Sequence, residues 1–382
     1  MAQARMEPGS WGEARANGSL ADDIRCEIAS SGPIRFSRYM ELCLYHPQYG
    51  FYTRRKGRLG REGDFFTSVS VGPVFGQLLA DYIVQQWERQ GRPKPFSLIE
   101  QGAHDGRLAA DILDELSRMA PVLFETLSYI IIEPLSTLEV WQRDQLAPWG
   151  SRVRWVRWPY TLSEDPVTGV FFANELLDSF PVDRFRFNED HWHELLVGLQ
   201  PDGAMGWIDG DVVDRADTNN PAMPFPRLDR STQFPPGYTT EFCSVIRPWL
   251  VSAAATLSQG AVLIIDYGRE AEDYYAPHRT EGTLRGYRAH QRCDDPFSAP
   301  GETDITADVN FTEVIDAARE ISLDSRPLER QEAFLTRLAR DRLREITEPP
   351  TTPEARQWLR QFQTLTHPGI MGSSFRVLEL EK

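Results

Sequence analysis

Phe96-Ser97-Leu98-Ile99-Glu100-Gln101-Gly102-Ala103-His104-Asp105-Gly106-Arg107 is the stretch whose reading decides the fold. A short apolar run ends in an acid, a glycine pair brackets a turn, and helical spacing begins near Leu108 and continues through Ile112. The pattern repeats outward. Tyr129-Ile130-Ile131-Ile132-Glu133, Arg152-Val153-Arg154-Trp155-Val156, Gly169-Val170-Phe171-Phe172-Ala173-Asn174-Glu175 and Ala261-Val262-Leu263-Ile264-Ile265-Asp266 are further short apolar runs separated by helix-length connections. Runs that are apolar on both faces read as strands of a parallel, helix-covered sheet, so the expected fold class is α/β. Ser374 to Leu380 forms a last strand.

Upstream, Ile24, Ile28, Phe36, Tyr39, Met40 and Leu42 suggest helices that end in the aromatic stretch Tyr45-His46-Pro47-Gln48-Tyr49-Gly50-Phe51-Tyr52. A basic, glycine-punctuated loop from Arg54 to Asp64 follows. A helix from about Pro73 to Gln90, with Thr67 and Ser68 positioned to cap it, carries Phe75, Leu78, Leu79, Tyr82, Ile83 and Trp87 at three- and four-residue spacing. A proline-rich insertion runs from roughly Pro181 to Pro236, with strand-like pieces around Phe185 and Leu195.

The 382 residues hold 41 basic and 56 acidic side chains, a net charge of −15. That balance disfavours a sequence-independent nucleic-acid binder, whose affinity comes from Lys and Arg neutralising phosphates. Cys26, Cys43, Cys243 and Cys293 show neither C-x-x-C pairing nor metal-ligand spacing, so no metal site is expected and a reducing, cytoplasmic setting fits. No run approaches the ~20 apolar residues of a membrane span.

In an open parallel sheet, ligands sit beyond the carboxyl ends of the strands. A dinucleotide site would want G-x-G-x-x-G with phosphate at the helix N-terminus, whereas here the spacing is E-x-G-x-x-x-G and Asp105 occupies the phosphate's place. A cofactor without phosphates fits better. S-adenosylmethionine carries a sulfonium and an ammonium that carboxylates attract, and a ribose diol that an acid can hold. The alternative is a purely structural glycine turn. Glu133 stands where a carboxylate reaches ribose hydroxyls, or else favours a helix start through the dipole. Asn174, Glu175 and Asp178 place an amide and two acids at the sheet's edge, suited to gripping a guanidinium, with helix capping as the plainer reading. His290 is a candidate base, although a lone histidine is more often structural. Neither a Ser-His-Asp order nor H-E-x-x-H occurs.

Taken together, these segments resemble the MidA-like family of methyltransferases. The resemblance spans nearly the whole chain. It rests on Tyr45-His46-Pro47 to Gly50-Phe51-Tyr52, Gly63-Asp64-Phe65 with Thr67-Ser68, Phe75-Gly76, Glu100 with Gly102 and Gly106, Asn174-Glu175 with Asp178 and Pro181, Asp266-Tyr267-Gly268, Gly282-Thr283-Leu284 with His290, Asp304-Ile305-Thr306-Ala307, Phe311, and Met371 to Val377. The resemblance implies a Rossmann-like, seven-stranded S-adenosylmethionine-dependent methyltransferase fold. On that reading residues 1–20 are a flexible N-terminus, 21–95 a helical cap, and 96–382 the methyltransferase domain with insertions near 181–240 and 270–310. It implies S-adenosyl-L-methionine bound by Glu100, Gly102, Gly106, Glu133 and Asn174 under a lid of Gly63, Asp64, Thr67 and Ser68. Asn174, Glu175 and Asp178 would be catalytic, with a protein substrate presenting an exposed arginine.

One departure stands out: where the family commonly has Gly-Pro-Gly-Arg-Gly, this chain has Gly102-Ala103-His104-Asp105-Gly106. His104 adds bulk at the turn, and Asp105 adds negative charge near the cofactor's carboxypropyl end. The competing expectations are a non-catalytic assembly protein that keeps the fold, and a small-molecule or nucleic-acid-base methyltransferase. Asn174 is placed like the amide of the amino-base methyltransferases but lacks their N-P-P-Y surroundings, and the net charge argues against nucleic acid.

Overall fold

The structure, a computed structural model, describes residues 18–54, 67–188, 191–213, 233–288, 291–346 and 352–382. Most of the expected flexible N-terminus, the basic loop beyond Arg54 and the middle of the proline-rich insertion lie outside the described residues. The chain divides into two compact units. One gathers Met1–Arg55, Asp178–Pro248 and Arg269–Asn310, and the other Lys56–Leu177, Trp249–Gly268 and Phe311–Lys382.

The second unit holds the large sheet. Its strands are β1 (Phe96–Gln101), β2 (Leu127–Ile132), β3 (Val153–Val156), β4 (Val167–Asn174), β5 (Leu257–Arg269), β6 (Asp324–Ser325) and β7 (Phe375–Glu381). Helices α1 (Val74–Arg89), α2 (Arg107–Met119) and α3 (Ser136–Gln145) accompany them. The order across the sheet is β3-β2-β1-β4-β5-β7-β6. The first five strands pair parallel, with Leu98 opposite Tyr129, Ile99 opposite Phe171 and Val262 opposite Phe171. β7 runs antiparallel to both β5 and β6, so seven strands form the continuous path of a sheet that has nine in all, two further two-residue strands lying off that path. The sixth is only two residues long, too short to leave a periodic signal.

From β1 the chain steps outward to β2 and β3, then returns to place β4 on the other side of β1. This reversal makes the carboxyl ends of β1 and β4 the topological switch point, the place at whose crevice an open α/β sheet binds ligands. The wholly apolar runs explain the architecture. Leu98, Tyr129, Ile131, Val170, Phe172, Leu263 and Ile265 are buried in one cluster with Phe75, Leu78, Leu79, Tyr82 and Ile83 of α1 and Leu108, Ile112 and Leu116 of α2. Gly76 lets the two helices close up, because a Cβ there would stand 2.5 Å from that of Asp111.

Thr67 and Ser68 do not cap α1. A 3-10 turn, Val69–Val71, intervenes, Pro73 stands at the N-cap without a side-chain bond, and Thr67 pairs with Ser70 instead, through Thr67 N to Ser70 Oγ at 3.0 Å. The two hydroxyls are simply too far upstream to reach the helix's first amides.

The first unit is built on an antiparallel sheet in the order Ile34–Arg35, His191–Leu199, Asp183–Asn188, Thr239–Phe242, with Met205–Val213 on the other edge of His191–Leu199. Two motifs find a structural reason here. The carboxylate of Glu241, fully buried, accepts from Thr283 N at 2.7 Å and from Arg184 Nε at 3.1 Å. Gly282, at φ +72°, has no room for a Cβ against that carboxylate. In the aromatic stretch, His46 Nδ1 accepts from Gln48 N at 3.3 Å and Tyr49 N at 3.2 Å, so the ring closes a helix end. His290, the candidate base, lies outside the described residues.

The sheet leaves no room at Gly169 of β4, where a Cβ would overlap the Ser97 carbonyl oxygen of β1. Gly169→Ala is expected to cost about 1–3 kcal/mol, the usual penalty of overpacking, read as a lower urea midpoint. An unchanged midpoint would mean that β1 and β4 spread at no cost.

Candidate functional site

Three turns meet the crevice at the carboxyl ends of β1, β2 and β4. In the first, Glu100 is 2 % exposed and its carboxylate accepts from Tyr129 Oη at 2.6 Å. Burial pushes its pKa up to about 7, against the pull of the Tyr129 hydrogen bond and with a small addition from Asp105. Gly102 follows at φ +87°, exposed, with Leu176 against it at 3.2 Å from where a Cβ would be. Gly106, at φ +83°, is the N-cap of α2. Only glycine adopts such angles without strain.

His104 sits between them at φ +44°. The histidine therefore holds a left-handed backbone that glycine adopts freely, at a cost in strain. Its carbonyl accepts from Gln142 Nε2 at 2.9 Å, while Nδ1 is shut away from solvent with no hydrogen-bond partner. Asp105 does not leave a bare charge on the turn. One of its oxygens accepts from Arg107 N at 3.1 Å and the other from the Arg107 guanidinium at 3.3 Å.

In the second turn Glu133, 4 % exposed, accepts from Leu135 N at 2.9 Å and from Gln142 Nε2 at 2.7 Å. Burial raises its pKa to about 7. The plainer reading, an acid holding the chain's next amide, is thus part of its role, although each carboxylate oxygen keeps a further acceptor site. Gln142 joins the two turns. It is fully buried, donates to His104 O and Glu133, and accepts from Trp155 Nε1 at 2.9 Å. Sequence reasoning passed over it. Its signal was a polar residue at four-residue spacing between Leu138 and Leu146 on the buried face of α3.

The third turn follows β4. Asn174 Nδ2 donates to Glu175 Oε1 at 3.1 Å, and the same oxygen accepts from Ser68 N at 3.1 Å. Glu175 itself has φ +52°, and Asn174 Oδ1 is buried with no partner. Asp266, fully buried on β5, locks the turn by accepting from Leu176 N at 3.1 Å and Leu177 N at 2.7 Å. Asn174 caps no helix here; its amide serves Glu175. Ser68 is fully buried, and its Oγ donates to Gln331 at 3.2 Å.

The structure thus gathers Ser68, Asn174 and Glu175 at one end of the crevice and Glu100, Gly102, Gly106 and Glu133 around α2 and α3. Thr67 is held against Ser70. Gly63 and Asp64 lie outside the described residues. Asp178 belongs to the other unit, where burial, and then the charge of Asp308, push its pKa up to about 7.

The donor set suits S-adenosylmethionine. Glu100 and Glu133 are buried carboxylates that form no ion pair with any described residue, and a cationic ligand relieves the cost of ionising them. Gly102 is exposed, and Asn174 Oδ1 is a buried acceptor with no partner. Among the described residues, no group of His, Cys, Asp and Glu is arranged to hold a metal ion.

Comparison with known proteins agrees. Residues 78–328 match the family of S-adenosyl-L-methionine-dependent methyltransferases, and the chain belongs to that family. It is 30 % identical to the mitochondrial protein arginine methyltransferase NDUFAF7 homolog of Drosophila melanogaster, over 95 % of this chain and 85 % of that one. To the Homo sapiens protein arginine methyltransferase NDUFAF7 it is 29 % identical, over 93 % and 81 %. Among solved structures, a methyl transferase from Burkholderia thailandensis bound to S-adenosyl-homocysteine superposes with a TM-score of 0.81 at 30 % identity, covering 95 % of this chain and 92 % of that one. The chain is therefore an S-adenosylmethionine-dependent methyltransferase, and no helix among its described residues is long and apolar enough to cross a membrane.

Glu100 and Glu133 have pKa values raised in the folded state, so between their unfolded value of 4.5 and about 7 the folded protein binds more protons than the unfolded chain. Their contribution to stability is complete below 4.5 and is lost as the pH rises through about 7. Urea midpoints of the ligand-free protein are expected to fall from pH 5 to pH 7.5, with a flatter profile in Glu100→Gln and Glu133→Gln. Slopes identical to wild type in both variants would refute the attribution.

Proposed function

We propose that this methyltransferase acts on a guanidinium nitrogen of a protein arginine. The observation that carries the reading is the amide-and-acid set Asn174, Glu175 and Asp178 at and just beyond the end of β4, in a chain whose relatives are named protein arginine methyltransferases. When bound, S-adenosylmethionine would supply a methyl group activated by its sulfonium, passed to a nitrogen lone pair as the carbon–sulfur bond breaks and S-adenosylhomocysteine is left. Catalysis by the protein is then largely positioning and electrostatics.

The residues divide the work. Glu100 and Glu133 counter the cofactor's positive charge and hold its ribose, and the glycine turn admits it. Thr67 and Ser68 belong to the segment that would cover it. Glu175, whose Oε1 already holds Ser68 N and the Asn174 amide, orients Asn174 with its acceptor free. Asp178, a carboxylate held in a buried setting, would grip the guanidinium and counter its charge, and the proton can leave after methylation. Residues 96–382 form the methyltransferase domain on this reading, with 181–240 and 270–310 as insertions and 21–95 as a cap. The partner is a protein presenting an exposed arginine rather than a nucleic acid, in keeping with a net charge of −15. A reducing, cytoplasmic setting is supported by Cys26, Cys43, Cys243 and Cys293 all being free thiols.

The acceptor is tested by incubating the purified protein with labelled S-adenosylmethionine and lysate from cells lacking its gene, followed by mass spectrometry. Label on arginine nitrogens supports the reading, and label confined to small molecules overturns it. Asp178→Asn is expected to slow transfer about 100-fold, the ordinary cost of removing one positioned electrostatic contact, while the affinity for S-adenosylhomocysteine stays the same. Full transfer in folded Asp178→Asn would remove Asp178 from the mechanism.

A further inference from the structure

His104 poses a physical question that the fold does not answer. A glycine would make this turn without strain, yet the chain places a histidine there at φ +44° and holds its carbonyl through Gln142. The residue as a whole is only partly buried, whereas its Nδ1 has neither solvent nor a hydrogen-bond partner. A polar atom left unpaired in a native structure costs free energy, and a missing ligand is one of the few conditions that explain it. The nearby charges do not supply the partner, since Asp105 and Arg107 bond to each other. Burial lowers the pKa of the ring, which keeps the imidazole neutral at physiological pH and able to donate or accept according to its tautomer.

We propose that His104 is a cofactor-contacting residue, whose Nδ1 makes its missing hydrogen bond to a polar atom of bound S-adenosylmethionine. The proposal rests on the cofactor reading of this crevice. The histidine then replaces a backbone approach with a side-chain contact, and the strain of the left-handed position is offset when the ligand is bound.

The test is calorimetric titration of the full chain with S-adenosylhomocysteine, comparing wild type with H104G and H104N. Both substitutions tolerate the left-handed backbone, so both are expected to fold. Asparagine keeps a hydrogen-bonding atom close to the place of Nδ1, and glycine removes it. H104G is expected to raise Kd about tenfold, the loss of one good hydrogen bond, while H104N stays within about threefold of wild type. In protein carrying 15N-labelled histidine, the Nδ1 resonance of His104 is expected to shift on adding ligand. A Kd for H104G equal to or below that of wild type, H104N as weak as H104G, or an Nδ1 resonance that does not move would each overturn the contact. No heat from wild type at millimolar ligand would be a different failure, because it removes the cofactor reading itself and this proposal with it.

Discussion

The carboxylate of Asp266 holds the site in place. It stands at the end of β5, excluded from solvent, and its Oδ2 takes the amides of Leu176 and Leu177 just after β4 leaves the sheet. A charge-assisted pair of that kind fixes backbone more firmly than neutral bonds do. Together with Glu175 N donating to Ile265 O at 2.9 Å, it obliges Glu175 to take a left-handed conformation. From that conformation the Glu175 side chain reaches Ser68, and Leu176 packs against the backbone of Gly102. The β4 turn, the β1 turn and the chain leading into α1 are thus linked through one buried acid.

Around this anchor the chain buries acids without cations. Glu100 and Glu133 are held by a tyrosine hydroxyl, a backbone amide and the Gln142 amide, all neutral. Neutral donors stabilise a carboxylate less than a guanidinium does, so burial dominates and both groups titrate near neutrality. Elsewhere the protein pairs its acids closely, as where Arg342 Nε donates to Asp81 at 2.8 Å and the same guanidinium bonds to Glu115. The contrast sets Glu100 and Glu133 apart as acids that a cationic ligand would stabilise.

Several motifs that look chemical in the sequence turn out to be architectural. Gly282-Thr283 wraps the buried Glu241 carboxylate, and His46 closes a helix end. Asp266 reads like a site acid but acts through the backbone it holds. Residue type alone could not separate these roles, because an acid that binds a ligand and one that binds a turn have the same composition and spacing.

The parallel sheet was legible because burial on both faces demands runs such as Tyr129 to Ile132 and Val170 to Ala173, and because turns need glycine where the backbone takes positive φ. The family and its cofactor were legible through the order and number of motifs along nearly the whole chain, from Tyr45-His46-Pro47 through Glu100, Gly102 and Gly106 to Met371–Val377, rather than through any one of them. What remained hidden was set by contacts distant in sequence: β6, two residues recruited by pairing with β7; Gln142, which joins two turns nine or more residues away; and the bond from Ser68 to Glu175, 107 residues apart. Local sequence determines which way a backbone prefers to run and which faces must be covered. Which polar atoms are left without a partner, as at Asn174 Oδ1 and His104 Nδ1, is decided only when distant segments have packed and every other donor is spent.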